Sequence, residues 1–137
     1  MNRKELQELS KIRIKEAKAL LDNELYDGAY YLCGYAVECA LKACIAKNVK
    51  QYDFPDRKTV NDSYTHNITK LTQVAILIRE LNQQKQRDPT FEVNWTLVER
   101  WSEESRYRKS TEVAAFDLYK AITNPKHGVI SWIRQYW

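Results

Sequence analysis

The chain is short of the residues that turn and break a backbone. Its 137 residues include only 3 glycines and 3 prolines. All-β folds use both freely at their many turns, so this scarcity points to long helices with few connections. Cysteine is equally sparse. Cys33, Cys39 and Cys44 are odd in number, lack CxxC spacing and have no second Cys/His cluster to complete a metal site. They fall in one apolar stretch and read as small core fillers, reduced in a reducing compartment. Long hydrophobic runs are missing as well. The most apolar stretch, Ala29 to Ala46, is broken by Glu38 and Lys42, which suits a buried helix and not a membrane span. Residues Met1 to Glu8 contain no apolar signal-peptide core. A cytoplasmic protein without membrane contact is expected. No Gly-rich phosphate loop and no metal cluster is visible, so neither a metal nor another cofactor is expected.

What is present is a globular composition, 44% apolar and 29% charged. The length fits one domain over residues 1–137, large enough to bury roughly two-thirds of the surface of its unfolded chain. The formal net charge of +4 is compatible with an acidic partner, though many proteins without one carry as much.

Apolar periodicity predicts about five helices packed as an antiparallel up-down bundle. The first runs from about Asn2 to Asp22 on a stripe of Leu6, Leu9, Ala17 and Leu20. The second, about Glu24 to Lys47, is apolar on two sides: Tyr30, Cys33, Val37, Leu41 and Cys44 on one, Ala29, Leu32, Ala36, Cys39 and Ala43 on the other. A helix of that kind is central in its bundle. Residues 48–64 read as a loop, with Asp53, Pro55 and Asp62 among its turn formers. A third helix is expected from a Thr65 cap to about Leu81, followed by a polar connection, Gln83 to Arg87. Asp88-Pro89 has the form of an N-cap followed by proline at the first helical position, opening a fourth helix with Phe91, Trp95, Val98 and Trp101 on one face. The fifth begins near Thr111. At Asn124-Pro125 it either kinks or gives way to a sixth short helix capped by Asn124.

Three segments carry a family resemblance. Ala36-Val37-Glu38-Cys39-Ala40-Leu41-Lys42-Ala43 resembles the second helix of HEPN domains. Thr65-His66-Asn67-Ile68 with Leu71 is similar to the start of that family's middle helix. Ser105-Arg106-Tyr107-Arg108, ahead of an Ala-rich helix, is similar to the Arg-Tyr element that opens its last long helix. The ordered set spans nearly the whole chain. The resemblance implies an antiparallel helical bundle that commonly dimerises. Many members are ribonucleases of toxin–antitoxin or antiviral systems, others accompany a nucleotidyltransferase, and some bind nucleotides without cutting RNA. The family's ribonucleases place a His shortly after the Arg. The pairing suits cleavage of RNA by its own 2′-hydroxyl: His transfers protons near neutral pH, and Arg holds the phosphate by two parallel hydrogen bonds. Here Arg106 and Tyr107 match, but Arg108, Lys109, Ser110, Thr111, Glu112 and Val113 follow without a histidine.

The leading expectation is therefore a divergent HEPN-like module, a homodimer that binds nucleotide or RNA without the usual cleavage histidine. Arg106, Tyr107, Arg108, Lys109 and His66 are its binding candidates, and no residue is singled out as catalytic. Two alternatives stand: an active ribonuclease of toxin or defence type, working through Glu112, His66 or another acid–base group, and a helical partner of a nucleotidyltransferase. Arg106 has a second expected role, as the ion-pair partner of Glu38, since a carboxylate on an apolar central helix is costly unpaired. His66, at a helix start, reads more readily as a capping or packing residue. His127, after Pro125, is expected to face solvent. Trp95 and Trp101 are expected in the core. Trp132, Tyr136 and Trp137 are expected to line a dimer interface, because so many large aromatics crowd the end of a small chain.

Overall fold

A computed structural model describes residues 1–51 and 56–137. Among them are eight α-helices and one 3-10 turn, with no strand: α1 Arg3–Asp22, α2 Tyr26–Gln51, α3 Arg57–Asp62, α4 Ile68–Val74, α5 Ile78–Arg87, α6 Pro89–Glu99, the 3-10 turn Glu103–Tyr107, α7 Glu112–Thr123 and α8 Val129–Ile133. The fold is all-helical as expected, with the anticipated five helices divided more finely. None of the described helices is long and apolar enough to cross a membrane.

The first two helices form an antiparallel hairpin. Leu20 packs beside Gly28, the buried Ser10 hydroxyl donates to the Ala36 carbonyl at 2.8 Å, and Leu6 shares a cleft wall with Ile45. Asn2 starts α1 with a capping box, accepting from the Glu5 amide while the Glu5 side chain accepts from its own. The turn out of α1 is a Schellman motif: the Leu25 amide donates to the Leu20 carbonyl, the Glu24 amide to that of Leu21, and Glu24 takes φ 60°. Helix α2 is central as expected. Ala29, Cys33, Ala36, Val37, Ala40, Leu41, Ala43 and Cys44 are all buried, and α1, α4, α7, α8 and the 3-10 turn pack around it. Burial pushes the Cys33 and Cys44 thiols up to about 12 and that of Cys39 to about 11, as for structural thiols and unlike reactive ones.

Several boundaries differ from the sequence pattern, each for a local reason. Helix α2 continues to Gln51, and a short α3, capped by Asp56, occupies part of the expected loop; Asp53 and Pro55 lie outside the described residues. Asn67, not Thr65, caps α4, its side chain accepting from the Lys70 amide at 2.8 Å. The expected third helix breaks after Ala75. A second Schellman motif forms there, with the Leu77 amide on the Thr72 carbonyl and Ile76 at φ 59°, while the Asn48 side chain donates to the Ala75 carbonyl. The break lets Leu77 reach the core, 5% exposed, and leaves Ile76 71% exposed. Gln83 to Arg87 completes α5 instead of forming a connection.

A β-branched residue in the left-handed region is strained. Ile76→Gly removes that strain and sacrifices little burial. It is expected to stabilise the domain by about 1 kcal/mol after the added backbone freedom of the unfolded chain is counted, read as a raised Tm in thermal denaturation.

Asp88 caps α6 and Pro89 takes the first helical position, as the sequence indicates. After α7 the chain splits at Asn124-Pro125. Asn124 does not cap the last helix; it ends α7, and its side chain accepts from the Lys126 and His127 amides. Gly128 is the N-cap of α8, and only glycine fits there, since a Cβ would stand 2.3 Å from the Asn124 carbonyl oxygen. His127 is tied down and not simply solvated: its Nδ1 lies 2.6 Å from Asp88 and its carbonyl accepts from Asn94. The His127 ring first, then the Phe91 amide, holds the Asp88 carboxyl below the usual range.

The aromatic end of the chain folds inward. Trp132 is 2% exposed and packs its ring against Phe91, Trp95 and Tyr136 at centroid distances of 5.5, 5.9 and 5.5 Å. Its expected place in a dimer interface is therefore corrected to the core of the single chain. The short α8 turns back across α2, α6 and α7 and carries Trp132 into their junction. Tyr136 and Trp137 pack half-buried against the same core.

Candidate functional site

The site grows from the central helix. Tyr31, Tyr35, Glu38 and Lys42 recur at four, three and four residues and so share one face of α2. The Tyr31 ring stacks on Tyr35 at 6.0 Å and on Trp101 at 6.1 Å, and the Arg13 guanidinium lies 5.9 Å over Tyr35. Trp101 can lie this close because Gly34 leaves the α2 backbone bare beneath its indole.

Glu38 is 2% exposed, yet it is not paired with Arg106. Its Oε1 lies 2.8 Å from His66 Nδ1 and its Oε2 lies 3.5 Å from Lys42 Nζ, the residue one helical turn on. The expected Glu38–Arg106 ion pair is corrected accordingly. His66, immediately before the cap of α4, takes one carboxylate oxygen, and Lys42 takes the other from α2 itself. The remaining ring nitrogen of His66, Nε2, lies 3.1 Å from Glu103 Oε2. His66 and Glu103 are each more than two-fifths exposed. The arrangement is thus an imidazole with one nitrogen seated on a buried carboxylate and the other at the surface.

Glu103 opens the 3-10 turn that ends with Arg106 and Tyr107. Residues three apart in a 3-10 helix eclipse each other, so Glu103 and Arg106 project on one side of the turn. Arg106 is exposed, with its guanidinium 4.7 Å from the Tyr107 ring centroid. Tyr107 first, and Tyr31 among the lesser causes, hold its pKa above the ordinary arginine value. Tyr107 is 78% exposed. Arg108 is engaged by Glu104 of the same turn at 2.8 Å, and Lys109 is exposed beyond it. The segment is anchored where the Ser110 amide donates to Asp27 at the start of α2. On the other side of Glu38 and Lys42 a cleft of about 530 Å³ opens between α1, α2 and α3, walled by Leu6, Leu9, Cys39, Ile45 and Val60.

The tertiary structure therefore gathers three of the sequence candidates, His66, Arg106 and Tyr107, around one 3-10 turn. It does not bring Glu112 with them. That residue lies at the start of α7 and interacts with Tyr26, the first residue of α2, away from Glu38 and His66. Sequence reasoning missed Glu103 as a site residue. Nothing in the local pattern marks it, because its partner is 37 positions away in the chain.

Such a domain, all-helical with a paired carboxylate on its central helix and an Arg-Tyr turn beside it, is what the three sequence segments lead one to expect. Residues 4–135 match the HEPN domain family, and the chain belongs to it. No curated protein and no solved structure is significantly similar to it.

Proposed function

We propose that this HEPN domain binds a phosphate-bearing ligand, RNA or a nucleotide, on the face formed by the 3-10 turn and α2. The observation that carries the reading is the exposed Arg106 guanidinium over the exposed Tyr107 ring, beside the His66–Glu38 pair. Arg106 has no buried carboxylate to serve; its guanidinium contacts the Tyr107 and Tyr31 side chains and still presents an exposed side to phosphate oxygens. Tyr107 offers a stacking surface for a base, which any base can use. Lys109 adds charge without a fixed geometry, and Arg108 is shared with Glu104. This reading keeps the expectation that the chain lacks the histidine that follows Arg in the family's ribonucleases. The homodimer remains part of the proposal on family grounds, without Trp132 as a contact.

The test is fluorescence polarisation with a labelled short single-stranded RNA, competed by ATP. Arg106→Ala is expected to weaken binding about tenfold, the scale of a charged hydrogen bond, and to leave the Tm unchanged because the side chain is exposed and unpaired with Glu38. Affinity should fall as salt rises, since phosphate contacts release counterions. Binding by the Arg106→Ala variant equal to that of the parent would remove this face from consideration.

A further inference from the structure

We infer that the cleft between α1, α2 and α3 is a binding site for a single-chain carboxylate, a fatty acid whose acyl chain lies along α2 and whose head meets Lys42. The inference is independent of what the Arg106 turn binds.

The walls set the class of ligand. Tyr35, Cys39, Lys42, Ala46 and Val49 recur at four, three, four and three residues and so form one stripe of α2 along the cleft. From residue 35 to residue 49 that stripe is about 21 Å long at the α-helical rise. Leu6 and Leu9 of α1 wall one side, and Val60 and Tyr64 wall the other. Mainly apolar walls with a few polar groups are the usual form of a small-molecule site, and a volume of about 530 Å³ is of the usual size. A partner's helix, about 10 Å across, would occupy roughly three times that volume over the same length. The shape therefore suits a long, thin, flexible molecule.

Helix α3 gives a second sign. None of its six residues is buried. Val60 is 38% exposed, and Tyr64, just beyond the helix, is 75% exposed. Both line the cleft opposite the α2 stripe without closing on it. An acyl chain between them would remove apolar surface of α1, α2 and α3 from water together.

Charge selects the head. Among the described lining residues the charged side chains are Arg3, Glu38 and Lys42. Both oxygens of Glu38 are engaged, one by His66 and one by Lys42. Lys42 Nζ stands 3.5 Å from Glu38, longer than a charge-assisted hydrogen bond. An ammonium has three donors, so Lys42 can serve a second carboxylate. Arg3 donates to the Trp137 carbonyl, and its Nε is buried with no partner among the described residues. Two cations against one engaged carboxylate leave the wall net positive, which complements one negative charge. A nucleotide brings more anionic charge and more polar edge than these walls can answer.

The experiment titrates the full chain with hexanoate, octanoate and decanoate by calorimetry, below micelle formation, and maps the site by methyl NMR. Affinity is expected to rise about threefold to fourfold for each added methylene. Methyl signals of Leu6, Leu9, Ile45 and Val60 should shift, while those of Ile76 and Val113, exposed elsewhere on the surface, should not. Lys42→Met keeps a long apolar stem and removes the charge. It should weaken decanoate binding at least about tenfold and bind decanol, the uncharged analogue, like the parent. Ala46→Phe fills the cleft from a half-buried position and should abolish binding of both. The methyl map of the parent tests the site without any substitution. Absence of saturable binding overturns the inference. So does equal affinity for hexanoate and decanoate, or a shift pattern centred on Ile76 and Val113. Decanoate binding by Lys42→Met as tight as the parent's overturns it as well.

Discussion

Gly34→Ala is expected to destabilise the domain by about 2–4 kcal/mol and to lower its Tm by roughly 10 °C. On an open helix surface the same substitution stabilises by about 1 kcal/mol, because alanine restricts the unfolded backbone more than glycine does. Here the sign reverses. A Cβ on Gly34 would stand 2.2–2.3 Å from three atoms of the Trp101 indole. The ring is rigid and 3% exposed, so it cannot bend aside as an aliphatic end would. It must move bodily and lose packing, and the cost is bounded by that of deleting a buried tryptophan, about 3–5 kcal/mol. Gly28→Ala is the matched control. Its Cβ would meet only Leu20 Cδ1, at 3.1 Å, the mobile end of a side chain, and it should be near neutral or slightly stabilising. Equal Tm shifts for the two variants in thermal denaturation would contradict this account. The substitution also reaches the functional face, since Trp101 supports Tyr31, whose side chain contacts Arg106.

Trp132→Ala is expected to cost about 3–5 kcal/mol, the range for removing a large buried aromatic. The effect should appear at every protein concentration. A tryptophan at a dimer interface would behave differently: its loss would weaken association, make the Tm depend on concentration, and leave the monomer's own stability nearly intact. Trp132→Phe should recover most of the stability, because the indole nitrogen is buried with no hydrogen-bond partner to lose and a ring still fills the space among Phe91, Trp95 and Tyr136. Thermal melts at two concentrations a hundredfold apart separate the core role from the interface role.

The same two tryptophans show where sequence reading stops. Apolar periodicity places a residue on a face of its helix but does not say whether that face meets the same chain or another. Trp101 was legible as core because it continues the stripe of α6. Trp132 sits on a helix of one and a half turns, Val129–Ile133, too short to display a stripe, and its destination depends on the Asn124–Gly128 turn that aims it. The break at Ile76 was hidden for a related reason. Ile68, Leu71, Ala75, Ile78 and Leu81 fit one continuous helix, and only the requirement to bury Leu77 and to satisfy the Ala75 carbonyl with Asn48 ends it.

By itself the sequence determined the helical class, the central position of α2, the Asp88-Pro89 helix start, the thiols as core filler, and the Arg106-Tyr107 and Ala36–Ala43 segments that mark the HEPN family. These are local properties: periodicity, capping chemistry and short ordered motifs reside in neighbouring residues. The tertiary structure alone decided which charges meet. Glu38 required a partner on energetic grounds, but Arg106 and His66 both met the chemical need; Lys42 reaches it from one turn on along α2, and only the packing of α4 beside α2 selects His66 over Arg106. Choosing among equivalent charges is a matter of distance across the fold, to which a linear pattern is blind.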